Sequence, residues 1–320
     1  MQNLFHFVLL TGIAIWGAAC TPADNSVLKF GADNWLGYQP FYIAQSQRMW
    51  DADKVSVVEL GSSSEVLRAL SSGALDGAAL TLDETITAIA LNQQLKVVMV
   101  IDFSYGGDAL IVDSSINSLA QLKGKHIGME DTATGALFLN SLLEKAQLEN
   151  NDVITHLMPV DQHAIAFDEN RVDAVITFEP LRSKLLSKGY RDLFNSRDIP
   201  GSIVDVLVFT KQVVDKYPER IASILHGFFH ARRMILAQDR VVLAGVSKRV
   251  GLNREAVLLG YEQLRLPDLQ ENKKLMGQCQ SGLMTTAKEL THIMVTKKII
   301  NRSVSLKGLC EPKFINGIKL

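Results

Sequence analysis

The chain has 320 residues, 47% of them apolar and 21% charged, with a mean hydropathy of +0.12. That excludes a disordered chain, a collagen-like repeat and a polytopic membrane protein, and leaves room for two α/β domains with cores of their own. Lys+Arg 33 against Asp+Glu 34 gives a net charge of −1, and no Lys/Arg run supplies a local field for nucleic acid. Three cysteines make neither a disulfide framework nor a zinc site of usual spacing.

In chain order, Leu4 to Ala19 is almost wholly apolar. It falls short of the roughly 20 residues of a membrane span and reads as the core of an export signal over 1–19. Trp16-Gly17-Ala18-Ala19-Cys20 resembles a bacterial lipobox, in which Cys20 is lipidated and becomes the mature N-terminus. A plain signal cut near Ala19, or a short anchor helix, are the other readings. Residues 20–26 form a polar tether.

From residue 27 strands and helices alternate. Strands are expected at 27–31, 55–60, 74–81 and 95–103, and helices at 40–48, 62–70 and 82–92. Ser62 and Glu65 stand at capping-box spacing. A second series follows, with strands at 125–129, 153–159, 172–178 and 203–210 and helices at 133–146 and 161–170. From 211 to 298 the pattern is mostly helical, broken at Gly251, Pro267 and Gly282. Such alternation means βαβ units and parallel sheets. Gly73 to Glu84 also echoes Asn170 to Pro180: a turn, a buried strand, then a carboxylate just past its end. Ligands of open α/β sheets bind beyond those carboxyl ends. Any two parallel βα units look alike at this level, so the echo is also open to a bland reading.

Five segments together resemble the periplasmic binding proteins for nitrate, sulfonate, taurine and thiamine-pyrimidine precursors. They are Trp35 to Ala44, Gly73 to Ala78, Gly106 to Leu110, Leu122 to Gly128 and Val172 to Pro180. The resemblance covers roughly 28–235; after about 265 there is no motif. It implies an α/β chain of the type II periplasmic binding protein fold, two lobes with a hinge and an interlobe ligand cleft. Crossovers are expected near Ala109–Asp113 and Val204–Thr210, with lobe 1 formed by 27–110 and 204–320 and lobe 2 by 111–203. The implied function is a solute-binding lipoprotein of an ABC importer, located in the periplasm and lipid-anchored to a bacterial membrane. Its partners are then a small-molecule solute and an ABC permease with its ATPase. The alternatives are an enzyme on the same fold, or a ligand-sensing partner of a membrane signalling protein. No Walker loop, Gly-x-Ser-x-Gly elbow, dinucleotide fingerprint or metal-ligand pattern stands in the sequence, so no cofactor and no metal is expected.

Candidate ligand contacts follow from the loops at strand ends. Trp35 and Tyr38 flank Gly37 and present two aromatic faces, for stacking or for the core. Ser63, Thr132 and Thr134 open helices, where hydroxyls and free N–H groups bind polar atoms or simply cap. Gly107 lets backbone approach the cleft, or only turns. The loops carry no Lys, Arg or His but eight carboxylates: Asp33, Glu65, Asp83, Glu84, Asp108, Glu130, Asp131 and Glu179. A nitrogen-bearing ligand is therefore expected ahead of a sulfonate-type one, which helix starts and neutral donors could still hold, with Thr81 beside it and Glu179 and Asp83 or Asp108 as acceptors. Cys279 and Cys310 either pair in an oxidising compartment or remain free buried thiols.

Overall fold

A computed structural model describes residues 26–279 and 281–319. The expected signal over 1–19, Cys20 and the tether up to residue 25 lie outside the described residues.

Two sheets divide the chain. The first holds β1 (Leu28–Ala32), β2 (Val55–Glu59), β3 (Gly77–Thr81) and β4 (Leu95–Ser104). The second takes β5 (Asp108–Val112), β6 (His126–Met129), β7 (Ile154–Leu157), β8 (Ala174–Phe178) and β9 (Arg191–Asn195). The chain then returns to the first sheet with β10 (Val204–Thr210) and a two-residue β11 (Leu264–Arg265). The strand orders are β11-β4-β10-β3-β1-β2 and β7-β6-β8-β5-β9. In each sheet three parallel strands, β2-β1-β3 and β7-β6-β8, meet one antiparallel strand that has arrived from the other sheet, β10 or β5. The echoed segments hold the same place: β3 and β8 each lie beside that strand. The chain changes sheet at 105–107 and again at 196–203, and β5 lies wholly in the second sheet.

Ahead of β10, six helices cover these sheets, and three of them begin at a side-chain cap. The six are α1 (Gln39–Ser46), α2 (Ser63–Ser71), α3 (Leu82–Ala90), α4 (Ala133–Ala146), α5 (His163–Asp168) and α6 (Leu181–Ser187). Ser62 caps α2, Thr132 caps α4, and Thr81 with Glu84 closes a capping box on α3. Strand β3 is buried along its whole length, as parallel strands with helices on both faces must be. Phe30 centres the first core, with ring centroids 5.1 Å from Phe41 and 6.2 Å from both Trp50 and Phe209.

Beyond β10 the chain is helical, as expected, with Gly251 in the left-handed conformation where one helix ends. Cys279 and Cys310 are disulfide-bonded with their Cα atoms 6.5 Å apart. The bond fastens a C-terminal segment whose backbone pairs with Val97 of β4. Among the described residues no helix is long and apolar enough to cross a membrane.

Candidate functional site

Between the lobes lies a cleft of about 540 Å³ at the carboxyl ends of the parallel strands. Four chain turns build it. Asp33 and Trp35 follow β1, Thr81 ends β3 with Glu84 after it, Glu130 to Gly135 follow β6, and Phe178 ends β8. Asp108 opens β5 and Asp205 sits in β10, so both sheet-changing strands also contribute.

One wall is apolar. Trp35 meets Phe178 edge-on, at 5.8 Å between centroids and 80° between planes, and Phe138, Ile176 and Ile203 extend the surface. Trp35 belongs to the first lobe and Phe178 to the second. The opposite wall is acidic and hydroxylic. Asp33 accepts from the backbone N–H of Trp35 at 2.9 Å and from the Ser63 hydroxyl at 2.8 Å. Asp102 accepts from the Trp35 indole N–H at 3.1 Å, and the Tyr38 hydroxyl donates to Asp205. Asp102 and Asp205 stand opposite one another in the β4–β10 register.

Polar contacts also cross the seam between lobes. The Thr81 and Thr134 hydroxyls are 2.9 Å apart, Thr134 donates to Asp83 Oδ2 at 2.9 Å, and Ser64 donates to Glu130 at 3.4 Å. The Ser104 and Ser196 hydroxyls, 2.8 Å apart, tie the two sheet-changing segments together.

Five buried carboxylates line this cleft, Asp33, Glu84, Asp108, Glu130 and Asp205, and two more, Asp83 and Asp102, are buried close by. No Lys, Arg or His is among the described residues that line it. Burial disfavours the ionised form, and the neighbouring negative charges add to it. Together they push Asp108 up to about 7 and Glu130 to about 8. Asp33, Asp83, Glu84, Asp102 and Asp205 are raised for the same first reason, desolvation. The charge of Asp102 raises Asp205 further, while a hydrogen bond to Asp205 lowers Asp102, and burial of both carboxyls together favours a proton held by the pair.

The cleft gathers seven of the ten side chains or backbone positions singled out from sequence: Trp35, Tyr38, Ser63, Thr81, Asp108, Thr132 and Thr134. Three stand elsewhere. Glu179 is buried, with its carboxylate held by Arg182 at 3.0 Å and by the Ser183 hydroxyl at 2.9 Å. Its counter-charge comes from one helical turn further along the chain, so it is no free acceptor for a ligand. Asp83 faces a side cavity instead. Gly107 lies under the Trp35 indole, where a Cβ would come within 2.5 Å of Cη2; it seats the ring and does not line the cleft.

Asp102 and Asp205 were not in the sequence-based set, which drew only on loops. Their signal was there in Val97 to Phe103 and Ile203 to Phe209, each an apolar strand run interrupted by one Asp. An Asp inside such a run is costly and needs a reason.

Comparison with known proteins bears on this geometry. The sequence profile of the NMT1-like family matches residues 21–243. A protein of Escherichia coli (strain K12), named as an aliphatic sulfonates-binding protein, is 26% identical over 229 residues, covering 68% of this chain and 71% of its own. Two solved structures share the fold. The ligand-binding component of an ABC-type import system from Staphylococcus aureus has a TM-score of 0.75 at 15% identity, with 92% and 99% of the two chains covered. The alkanesulfonate-binding protein SsuA from Xanthomonas axonopodis pv. citri, bound to MOPS, has a TM-score of 0.72 at 16%, with 89% and 98% covered. The likeness extends to the desulfurization enzyme DSZB, at a TM-score of 0.63 and 14% identity over 91% and 98% of the chains.

Proposed function

The chain belongs to the NMT1-like family, and from that premise we propose that it is the solute-binding component of an ABC-type importer, one that takes a cationic, nitrogen-bearing solute. The observation that carries the charge of the solute is the set of five buried carboxylates, Asp33, Glu84, Asp108, Glu130 and Asp205, lining a cleft with no basic side chain among its described residues. Each is costly to ionise without a partner, and an ammonium or amidinium group supplies one. Trp35 and Phe178 offer the solute an aromatic wall, which also favours a cation or a planar nitrogen heterocycle. Binding and closure of the lobes would then be the whole of the work, with no covalent step. Since DSZB shares the fold, the fold alone does not separate binder from enzyme. The family, the Escherichia coli relative and the cleft chemistry support the binder.

A sulfonate is the second reading, favoured by the name of that relative. Helices α2 and α4 start at the cleft, and helix starts attract anions. The start of α2 is already engaged, however. The Ser64 hydroxyl donates to the Glu130 carboxylate at 3.4 Å, and that carboxylate reaches across from the second lobe. An incoming anion would have to displace that carboxylate and then sit beside Asp33.

The proposed contacts are Trp35, Tyr38, Ser63, Thr81, Asp108, Thr132 and Thr134 from the sequence set, joined by Asp33, Glu84, Glu130 and Asp205. The proposed lobes divide at 105–107 and 196–203. With Cys279 and Cys310 bonded to one another, Cys20 is the one cysteine left in the sequence. We take it as the lipid attachment that holds the protein against its permease and ATPase, outside the cytoplasm. Cys20→Ala should move the protein from the membrane fraction to the soluble one. Continued pelleting would point to an uncleaved anchor.

Thermal shift with matched pairs tests the solute class. n-Hexylamine should raise the unfolding midpoint at millimolar concentration and hexane-1-sulfonate should not. The opposite ranking would overturn the cationic reading in favour of the sulfonate one.

A further inference from the structure

Beside the main cleft is a second cavity of about 360 Å³, set between α3, α4, the helix Leu283–Thr296 and the returning segment 199–203. Its walls are mostly apolar, from Leu137, Phe138, Ile199, Ile203, Leu290 and Ile293, with Thr134, Ser141 and Ser202 among them. One charged group joins the lining. Asp83 is 1% exposed; its Oδ2 accepts from Thr134, and its Oδ1 has no hydrogen-bond partner. A buried carboxylate oxygen left unpartnered is expensive, and it invites a donor from a bound molecule.

Three residues, Thr134, Phe138 and Ile203, line both cavities. Thr134 and Phe138 stand on α4 of the second lobe, and Asp83 stands on α3 of the first. The boundary between the cavities is therefore a seam between lobes. A flexible group can be laid across such a seam while the lobes are apart and enclosed when they meet.

We propose that this side pocket is the second half of the solute site, taking an apolar arm of the same amine-bearing solute, with a hydroxyl or N–H on that arm donating to Asp83. The inference rests on the cationic reading of the main cleft and adds a length requirement to it. A compact amine fills only the acidic cleft, whereas an amine with an apolar arm fills both.

Calorimetry with n-propylamine, n-hexylamine and n-octylamine on the full described chain tests it. Affinity should rise by up to about fourfold per added methylene that enters the pocket, at one amine per chain. Ile293→Trp and Ser141→Phe alter partly exposed positions that line only the side pocket, and each should abolish the gain from propyl to octyl while leaving n-propylamine binding unchanged. Two octylamines per chain, or a chain-length gain that persists in both variants, would overturn the side-pocket assignment and leave the cationic cleft standing. If n-propylamine does not bind at all, the cationic reading fails and this inference falls with it. Variants whose unfolding midpoint matches the parent's exclude a loss of fold as the cause.

Discussion

Replacing Asp108 with Asn separates the cost of the acidic cleft from its use. Asp108 is buried at the first residue of β5, and desolvation together with the charges of Asp83, Asp33 and Glu179 pushes its carboxyl up to about 7 from 3.8. In the unfolded chain the group ionises near pH 4, whereas in the folded chain it holds its proton to about 7. Between those values the folded state binds more protons than the unfolded one, so stability falls as pH rises. At 1.36 kcal/mol per pH unit, three units correspond to about 4 kcal/mol at pH 8 and to nothing at pH 4. Neighbouring carboxylates take up part of that cost when one is removed, so Asp108→Asn should gain about 2–4 kcal/mol at pH 8. That amounts to a rise of at least about 4 °C in unfolding midpoint. At pH 4 parent and variant should coincide. The same change should weaken n-hexylamine binding at pH 8 by roughly ten- to a hundredfold, the worth of a hydrogen bond to a charged group. Thermal scans from pH 4 to 8, paired with calorimetry, read both effects. A gain of equal size at pH 4 and pH 8, or a loss at pH 8, would refute the assignment of Asp108 as an unpaired buried acid.

Glu130→Ser should free the start of α2 and remove an acid that ionises as pH rises through about 8, so that hexane-1-sulfonate binding becomes measurable by calorimetry at pH 8; a variant as indifferent to sulfonate as the parent would remove Glu130 from the account of charge selectivity. Reducing the Cys279–Cys310 bond, which closes a loop of sequence separation 31, should cost about 3–4 kcal/mol on chain-entropy grounds. Hydrogen exchange should then speed up first in the C-terminal segment beside β4, and uniform loosening of both sheets instead would contradict the local role given to that bond.

The fold was legible because periodicity and turn chemistry agree along most of the chain. β3 and β8 are short, mostly apolar runs that follow a turn, and the Ser62, Thr81 and Thr132 caps stand where the sequence puts a hydroxyl three residues ahead of the bonded N–H. Strand β9 was not expected, since Arg191-Asp192-Leu193-Phe194-Asn195 carries polar residues at both ends and sits at a sheet edge; pairing with β5 makes it a strand. β11 and α6 are too short to leave a period. In the site, loops at strand ends yielded most of the lining because parallel sheets place ligands there. Asp102 and Asp205 escaped because they lie within strands, and only the register that sets them face to face reveals a shared proton. Glu179 misled because Arg182, its counter-charge, lies one residue beyond the loop considered. Whether Cys279 and Cys310 pair depends on distance in space, which a sequence separation of 31 does not disclose.

The central claim is that a cation trades places with protons on the cleft carboxylates. Calorimetric titration of n-hexylamine at pH 7, repeated in buffers of different ionisation enthalpy, measures that exchange directly. The amine stays protonated throughout, while Asp108 at about 7 and Glu130 at about 8 are partly protonated before binding. Binding should therefore release protons, and affinity should climb from pH 6 to pH 8. Binding with no proton release and no pH dependence would contradict the account.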